Sequence, residues 1–487
     1  MNKKNTDSNY EVVIIGAGIG GLVCGCYLAK VGLKVLIVEQ HDIPGGYCTS
    51  FNRNGYRFDV GVHYLGGIKR GILGRVLDEL ELRDQIKFNQ FDPIDKIIMP
   101  DNTTYIRANS RNTIEEFKKS FPHEKNNIEE FFKFIMQKNF MNIYARVKKL
   151  SFKSFVDAFF DDYRLKATLG VLLGNIGTPL NKAAAFPAIV LFRQYVLDPG
   201  YYPKGGIQKL PDALVKSLKK NGGECVLSKK VIKIITEHEK IKGVVLDDGE
   251  KIFSDIVVSN ADATMTFNEL LEIKSEEKDN TAKMVASPSM FMVYLGLKGD
   301  LNSLIKEPCN IYYFNNYDIH KAYSDKKNPD FEVEWFVGSF PFAHDNILMS
   351  EKGTGSIIVF SPYKTMEYWK DNRGKLCDRI MSKVQSVIPG LENFIDLKFT
   401  ATPLTFHRYT SNRRGAFAGW LSTLKQTKVS FMPQRSTIKG LYLTGHWCTM
   451  GYVPFGGIPS VAFSGRRAAR CVLEDINKKW KYKDFYL

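Results

Sequence analysis

Apolar positions in the first forty residues form two short runs, separated by a glycine-rich turn and a longer apolar stretch. The run at residues 12–15 is β-branched and apolar, which is typical of a buried strand. A second run at residues 34–38 ends at Glu39, and the stretch between the two runs has helix-like apolar character. The pattern predicts a strand, a helix and a parallel strand, which is the start of an α/β fold.

The rest of the chain alternates between strand-like and helix-like spacing, which favours a mixed second domain. Residues 229–247 indicate two strands joined by a turn at 237–240, and residues 440–445 indicate a buried strand ending in glycine. The run AAAFPAIVLF at 183–192 is too short to cross a bilayer. It favours a buried helix broken at Pro187, with a pocket mouth as the alternative. Further helices are predicted at 114–121, 127–137, 154–161, 210–218 and 369–387, and further strands at 289–297 and 356–360.

Five residues near the first strand form a candidate dinucleotide site. Gly16, Gly18 and Gly21 have G-x-G-x-x-G spacing between a strand and a helix. Gly20 lies in the same turn. The first glycine permits a sharp turn, the second a close approach to a pyrophosphate, and the third close packing of helix on sheet. The helix N-terminus offers N–H groups to phosphates, and Glu39 can accept hydrogen bonds from ribose hydroxyls.

A Gly-Gly pair, Gly45 and Gly46, follows the second strand, where the chain can pass close to a cofactor. With the polar residues after it, this pair resembles the glutathione-reductase-like FAD fold. The resemblance implies a Rossmann-like FAD-binding domain with FAD as the cofactor. It also implies that the backbone of Val231 lies beside the adenine.

A late segment is expected to return to the same cofactor. Gly445 ends a predicted strand, and Gly456, Gly457 and Ile458 precede a helix around residues 464–469. The FAD-fold resemblance implies that this helix N-terminus points at the flavin ring, where reduction places negative charge. His446 departs from the FAD-fold pattern, in which an acid holds a ribityl hydroxyl. An imidazole can still form that hydrogen bond.

Motifs spread over nearly the whole chain carry a more specific resemblance. They are FDVGVHY at residues 58–64, YPKGGI at 202–207, DIVVSNAD at 255–262, TPLTFHRY at 402–409 and GAFAG at 415–419. With them the chain resembles the phytoene desaturase, carotenoid isomerase and retinol saturase group of flavoproteins, and FDVGVHY looks most like the retinol saturase form. The resemblance implies an FAD-dependent oxidoreductase that saturates or desaturates carbon–carbon bonds of a long apolar polyene or isoprenoid-like lipid.

Hydride chemistry at a flavin requires position, desolvation and a partner for the proton. His63 and Tyr64 are the first candidates for the proton donor or acceptor, and His407 with Tyr409 the second. Each has a structural alternative, a hydrogen bond to backbone or flavin, which is favoured for His407. Arg408 is a candidate to hold a substrate carboxylate or a cofactor phosphate.

Two functions from other classes stay open. One is a redox-neutral, flavin-dependent carotenoid-type cis–trans isomerase, and the other is a flavin-bound binding protein without turnover. An amine oxidase is a weaker interpretation, because residues 55–64 match the polyene group better. The chain has no second G-x-G-x-x-G motif, so no dedicated NAD(P)H domain is expected and the electron donor or acceptor is unidentified.

The length of 487 residues, with 44% hydrophobic and 25% charged residues, predicts two domains of an ordinary globular protein. The fold class is therefore α/β with a discontinuous, mixed α+β substrate domain. The FAD-binding domain is expected at 1–75, 198–275 and 420–475, the substrate-binding domain at 76–197 and 276–419, and a basic aromatic tail at 476–487.

The formal net charge of +16 has three possible explanations: a lysine-rich solvated surface, docking on anionic lipid, or nucleic-acid binding. No recognition motif in the sequence supports nucleic-acid binding. RVKKLSFKSF at 146–155 and NKKWKYKDFYL at 477–487 interleave cations with apolar rings and favour a peripheral membrane contact. Packing on the protein itself is the alternative. The eight scattered cysteines lack metal-ligand spacing and predict reduced thiols and no metal site. No signal peptide is visible, so a cytoplasmic location is expected.

Overall fold

The structure is a computed structural model that describes residues 10–198, 200–305, 307, 309–323, 333–341, 352–427, 432–448 and 457–483. Its strands, in chain order, are β1 (Val12–Ile15), β2 (Val35–Val38), β3 (Ser50–Arg53), β4 (Tyr56–Asp59), β5 (Phe88–Gln90), β6 (Asp95–Met99), β7 (Asn102–Ile106), β8 (Tyr201–Pro203), β9 (Glu224–Val226), β10 (Val231–Glu237), β11 (Lys240–Leu246), β12 (Lys251–Phe253), β13 (Val257–Ser259), β14 (Ser289–Lys298), β15 (Asn310–Phe314), β16 (Trp335–Ser339), β17 (Lys352–Ser361), β18 (Ile395–Ala401) and β19 (Leu441–Leu443). Its helices are α1 (Ile19–Lys30), α2 (Ile72–Glu79), α3 (Ser110–Ser120), α4 (Lys125–Ile135), α5 (Phe140–Val147), α6 (Phe152–Asp157), α7 (Tyr163–Val171), α8 (Ala185–Phe192), α9 (Lys209–Lys220), α10 (Ala263–Met265), α11 (Glu276–Lys283), α12 (Leu301–Leu304), α13 (Met366–Val387), α14 (Pro403–Thr410) and α15 (Ile458–Asp475).

A five-stranded parallel sheet with the order β19-β13-β1-β2-β9 forms the first layer system. Every residue of β1 and β2 is buried, because helices cover the sheet and leave no solvent-facing side. The helix α1 is buried along nearly its whole length and packs against α15 and α9. The predicted Rossmann-like α/β fold is confirmed by this topology.

A seven-stranded mixed sheet with the order β18-β14-β17-β16-β15-β6-β7 forms the second layer system. Its central strand β16 is buried throughout, and β14 is buried from Ser289 to Leu297. Only β15 and β6 pair in parallel, while the other neighbours are antiparallel. Helices α3 to α6 and α8 contribute many of the phenylalanines to the same core cluster.

The predicted hairpin at 229–247 is present as β10 and β11, which pair antiparallel. His238 and Glu239 occupy its turn with positive φ values of 48° and 59°. Two successive left-handed residues give the connection the twist that a two-residue hairpin favours.

Two helix predictions require correction. Pro187 does not break the helix at 183–192, because α8 begins at Ala185 and places Pro187 in the first turn, where backbone N–H groups need no helical partner. The helix predicted at 154–161 runs instead from Phe152 to Asp157. It ends early because the backbone N–H groups of Asp161 and Asp162 donate to the carboxylate of Glu124, both at 2.8 Å.

Two hydrophobic core clusters accompany the two sheets. The helix α2 crosses the expected domain bound at residue 75, and its buried side chains belong to the core around the parallel sheet. The division into domains at the stated bounds stays a prediction. None of the described helices combines the length and apolar character that crossing a bilayer requires.

Candidate active site

One large cavity lies between the carboxyl ends of the parallel strands and the inner face of the seven-stranded sheet. It encloses about 1920 Å³ of space, part of which is continuous with solvent. One end is lined by β1, β2, β13 and the loops after them, and the other by β14 to β17. A crevice at the carboxyl ends of parallel strands is where ligands bind in open α/β sheets.

The glycine turn after β1 forms the floor of the first end. Gly16 has φ +93°, a conformation that side chains rarely adopt, and it turns the chain out of the strand. A Cβ on Gly20 would lie 2.8 Å from the backbone nitrogen of Gly445, so only glycine permits this close approach. The N-cap residue of α1, Gly18, has no side chain to occupy the N–H groups of the first helical turn. These groups are therefore available to a phosphate.

The carboxylate of Glu39 stands at the end of β2 and is nine-tenths buried. It accepts hydrogen bonds from the backbone N–H groups of Ala17, at 2.6 Å, and His41, at 2.9 Å. Burial raises the pKa of Glu39, and the two backbone hydrogen bonds oppose that shift. A carboxylate has about four acceptor sites, so capacity remains for the hydroxyls of a ribose.

Most of the residues predicted to hold the cofactor line this end. Gly21 does not line the cavity. A Cβ there would lie 2.3 Å from the carbonyl oxygen of Gly16, so this glycine supports the turn. Gly456 lies outside the described residues, as do 449–455 and the end of the tail at 484–487. The lining includes Gly16, Gly18, Gly20, Glu39, Gly45, Gly46, Val231, Gly445, Gly457 and Ile458.

Two further polar residues line the cavity. Sequence analysis did not assign Asn260 to the cofactor site, and it identified His446 only as a departure from the FAD-fold pattern. Asn260 follows β13 and its Nδ2 lies 3.4 Å from the carbonyl oxygen of Gly16. The signal for Asn260 was its place directly after a strand that neighbours β1. His446 lies 3.4 Å, through Nε2, from Nδ2 of Asn412. Burial lowers the pKa of His446 to about 4, so its ring is neutral at pH 7.

The second end of the cavity is apolar and aromatic. Phe360 is central to it: its ring packs against Trp335 at 4.6 Å and Phe417 at 5.6 Å between ring centroids. Among the described lining residues of the whole cavity, the acidic or basic side chains other than histidine are Glu39 and Lys230, and both belong to the first end. The aromatic end is lined by Gly170, Val171, Gly174, Met290, Phe314, Ile319, Ala322, Tyr323, Trp335, Val337, Ile358, Phe360 and Phe417.

A polar cluster lies between these two ends. The hydroxyl of Tyr312 donates to Oδ1 of Asn175 at 3.1 Å and lies 3.4 Å from Nε2 of His63. The rings of His63 and Tyr64 are in contact, with centroids 5.1 Å apart. Burial lowers the pKa of His63 to about 4 and raises the pKa of Tyr64 well above its usual value. Both side chains are therefore neutral near pH 7.

The second pair of proton-transfer candidates lies elsewhere on α14. His407 is exposed, does not line the cavity, and its Nδ1 is 2.9 Å from the carbonyl oxygen of Asn412. Tyr409 does line the cavity, while Arg408 lies over the ring of Tyr409 at 5.7 Å. The geometry gives His407 a structural contact and leaves His63 and Tyr64 beside the aromatic end.

The two cationic segments are packed on the protein where the structure describes them. In the first, Val147, Phe152 and Phe155 are buried. In the tail, Trp480 packs on Tyr27 with ring centroids 5.5 Å apart. The apolar side chains that suggested membrane insertion therefore take part in intramolecular contacts.

The strand order, the glycine turn and the acid at the end of β2 define a dinucleotide-binding protein of the Rossmann-like class. The chain belongs to the family of flavin-containing amine oxidoreductases, whose model matches residues 19–473. The cofactor is FAD, and the uncapped α1 N-terminus, the glycine cradle and the free acceptor sites of Glu39 fit its phosphates and ribose.

Relatives with curated names are similar along most of the chain. An all-trans-retinol 13,14-reductase from Danio rerio is 26% identical over 89% of this chain and 82% of its own length. A chloroplastic prolycopene isomerase from Daucus carota is 28% identical over 97% of this chain and 81% of its own length. These similarities confirm that the chain is related to the predicted group of flavoproteins.

Solved structures agree with the fold. An oxidoreductase from Methanosarcina mazei superposes with a TM-score of 0.67 at 18% identity, covering 95% of this chain and 99% of that one. A putrescine oxidase bound to putrescine gives a TM-score of 0.67 at 16% identity, covering 96% of this chain and 99% of that one. Identities this low establish the shared architecture only.

Proposed function

We propose that this FAD-dependent oxidoreductase reduces a carbon–carbon double bond of a long apolar polyene, of the retinoid or carotenoid type. The observation that carries the proposal is the aromatic end of the cavity, which continues directly from the cofactor end. An apolar chain that enters this end gains the burial of its surface against rings such as Phe360 and Trp335. The retinol reductase and carotenoid isomerase relatives support the same substrate class.

The charge distribution argues against an amine as substrate. A protonated amine taken from water into an aromatic pocket needs a carboxylate or comparable partner nearby. The acidic residue of the described lining is Glu39, which lies at the cofactor end and accepts backbone hydrogen bonds there. A neutral polyene makes no such demand.

The chain's own residues supply position and the proton. When bound, FAD exchanges a hydride with a carbon of the substrate. The aromatic end holds the polyene and excludes water, and Tyr64 or His63 provides the proton for the neighbouring carbon. Tyr64 is the preferred donor, because its hydroxyl carries a proton near pH 7, whereas the lowered pKa of His63 leaves that imidazole without its acidic proton.

A redox-neutral cis–trans isomerase is the second candidate function. It is supported by the similarity to prolycopene isomerase, which extends over 97% of this chain. The same cavity would hold the polyene, and the product would have the mass of the substrate. Product mass therefore separates the two functions.

The test is incubation of the reduced holoenzyme with all-trans-retinol or a lycopene-type polyene, followed by chromatography and mass spectrometry. Reduction predicts a product heavier by two hydrogens, and isomerisation predicts an unchanged mass with a shifted retention time. If neither lipid is converted, both functions are contradicted.

A larger side chain in the aromatic end of the cavity should weaken polyene binding without removing FAD. A Cβ on Gly174 would have Phe360 as its nearest neighbour, at 3.9 Å, so a leucine there can extend into the cavity without meeting backbone. Gly174→Leu should keep its FAD and raise KM for the polyene about tenfold, a loss of about 1.4 kcal/mol of binding. Gly374→Leu is the control, because that position is exposed on α13 with no atom within 4 Å of its Cβ.

The location of the enzyme at a membrane surface belongs to the same proposal. An apolar polyene partitions into bilayers, and the net charge of +16 favours contact with an anionic cytoplasmic membrane face. Binding to vesicles with and without anionic lipid would test the contact, and salt should release it.

A further inference from the structure

A buried carboxyl group stands directly behind Tyr64. When Asp95 is ionised, the hydroxyl of Tyr64 donates to its Oδ2 at 3.1 Å, and Nδ2 of Asn310 donates to Oδ1 at 3.0 Å. When Asp95 is protonated on Oδ2, its own O–H donates to the Tyr64 oxygen across the same contact. Asp95 is 1% exposed at the start of β6 and does not line the cavity. Burying an ionised acid in this position costs free energy, so burial favours the protonated form of the carboxyl.

The contact continues toward the substrate. Asp95 also lies close enough to the hydroxyl of Tyr312 for its charge to raise the pKa of that hydroxyl. The latter in turn lies 3.4 Å from Nε2 of His63. Asp95 thus contacts Tyr64 directly, and the ring of Tyr64 contacts the ring of His63 at 5.1 Å between centroids, so the buried acid adjoins the polar cluster beside the aromatic end.

We propose that Asp95 is a positioning residue that stores a proton and returns it to Tyr64 after Tyr64 has protonated the substrate. The inference rests on the proposed function, in which Tyr64 is the proton donor. It assigns a role to a residue that contacts neither substrate nor cofactor and that no sequence motif marks.

Reduction of the double bond requires one hydride and one proton. One carbon of the double bond receives a hydride from the reduced cofactor, and the other receives the phenolic proton of Tyr64 as the O–H bond breaks. The carboxylic proton of Asp95 moves to the Tyr64 oxygen, which restores the phenol and leaves Asp95 as a carboxylate. Solvent reprotonates Asp95 before the next turnover.

The electrostatics of the site support this role. Burial raises the pKa of Asp95 to about 7, and hydrogen bonds from Asn310 and Tyr64 oppose that shift. The titratable groups that face Asp95 are the hydroxyls of Tyr64 and Tyr312 and the thiol of Cys309, all with raised pKa. The adjacent cation is Lys96, which pairs with Glu307 at 2.9 Å. Asp95 therefore holds a proton at pH values below about 7.

The first test compares pH profiles of polyene reduction. In the wild type, kcat should fall as the pH rises through about 7, because Asp95 loses its proton. Asp95→Asn keeps an acceptor for Tyr64 but carries no transferable acid, so kcat should fall about 10- to 100-fold at pH 6 and lose this pH dependence, with KM little changed. Asp198→Asn is the control: Asp198 is buried with a raised pKa but accepts hydrogen bonds from the backbone of Lys69 and Arg70.

The second test does not depend on turnover. An infrared difference spectrum of holoenzyme, wild type minus Asp95→Asn, should show a protonated-carboxyl band at pH 6 that disappears with a midpoint near pH 7. Absence of that band would overturn the stored proton whether or not the enzyme reduces polyenes. Tyr64→Phe should keep the band and show the same loss of kcat.

The outcomes separate the two proposals. Wild-type reduction with an unchanged rate and pH profile in Asp95→Asn would overturn the role of Asp95 and leave the proposed function standing. A titrating carboxyl band in a wild type that reduces no polyene would contradict the proposed function and, with it, this role.

Discussion

Adding one methyl group at Gly20 should weaken FAD binding while the protein still folds. The Cβ of an alanine there would lie 2.8 Å from the nitrogen and 2.9 Å from the Cα of Gly445, both backbone atoms. The shorter distance is about 0.6 Å below the 3.4 Å at which ordinary contact begins, so α1 and the segment after β19 must move apart. Overpacking of this kind costs about 1–3 kcal/mol.

The same movement misplaces the N–H groups that face the pyrophosphate. A misfit worth about 1–2 kcal/mol in the bound state weakens FAD binding by about 5- to 30-fold. We therefore expect Gly20→Ala to purify with less flavin per protein and to show this loss when the apoprotein is titrated with FAD.

The matched control is Gly374→Ala. This glycine lies inside α13 with no atom within 4 Å of a Cβ, so alanine should stabilise the helix by about 0.5–1 kcal/mol and leave FAD binding unchanged. Wild-type flavin content and affinity in Gly20→Ala would refute the assignment of this turn as the FAD cradle.

Three further predictions concern the polar cluster and the fold. His63→Ala should retain FAD and slow turnover about 10- to 100-fold, because a group beside the substrate is lost; unchanged turnover would remove His63 from the reaction. Burial lowers the pKa of His63 and His446 to about 4, so the unfolded chain takes up protons below about pH 6.5 that the folded protein refuses. The stability of wild type relative to the double variant His63→Gln/His446→Gln should thus fall by about 2 kcal/mol per residue from pH 6.5 to 5, seen in urea midpoints, and a pH-independent difference would contradict it. Arg466 is 3% exposed and pairs with Glu79 at 2.7 Å. Arg466→Met should lower the unfolding free energy by about 2–4 kcal/mol, because Glu79 loses its counter-charge, and an unchanged urea midpoint would refute that.

The cofactor end could be predicted from sequence because its signals are local. Gly16, Gly18 and Glu39 belong to one strand–turn–helix–strand unit, so spacing alone places them at one edge of a parallel sheet. The resemblance to the FAD fold predicted that the helix after Gly457 returns to the cofactor, and the first residues of that helix line the cavity.

The polar cluster and the acid behind it could not be predicted in the same way. Tyr312 lies 3.4 Å from His63 although 249 residues separate them in the chain, and Asp95 reaches Tyr64 across 31 residues. Periodicity marks such side chains as buried without indicating their neighbours. The helix error at Pro187 has a similar origin, since the effect of proline depends on whether it lies in the first turn or further inside.

The most direct test of the account is an anaerobic visible spectrum of the chemically reduced holoenzyme, recorded before and after addition of all-trans-retinol or a lycopene-type polyene. We expect the oxidised flavin bands to return as the lipid gains two hydrogens. A flavin that stays reduced beside a lipid of altered geometry would assign the chain to the isomerase function instead. A reduced flavin and an unchanged lipid would contradict the polyene assignment.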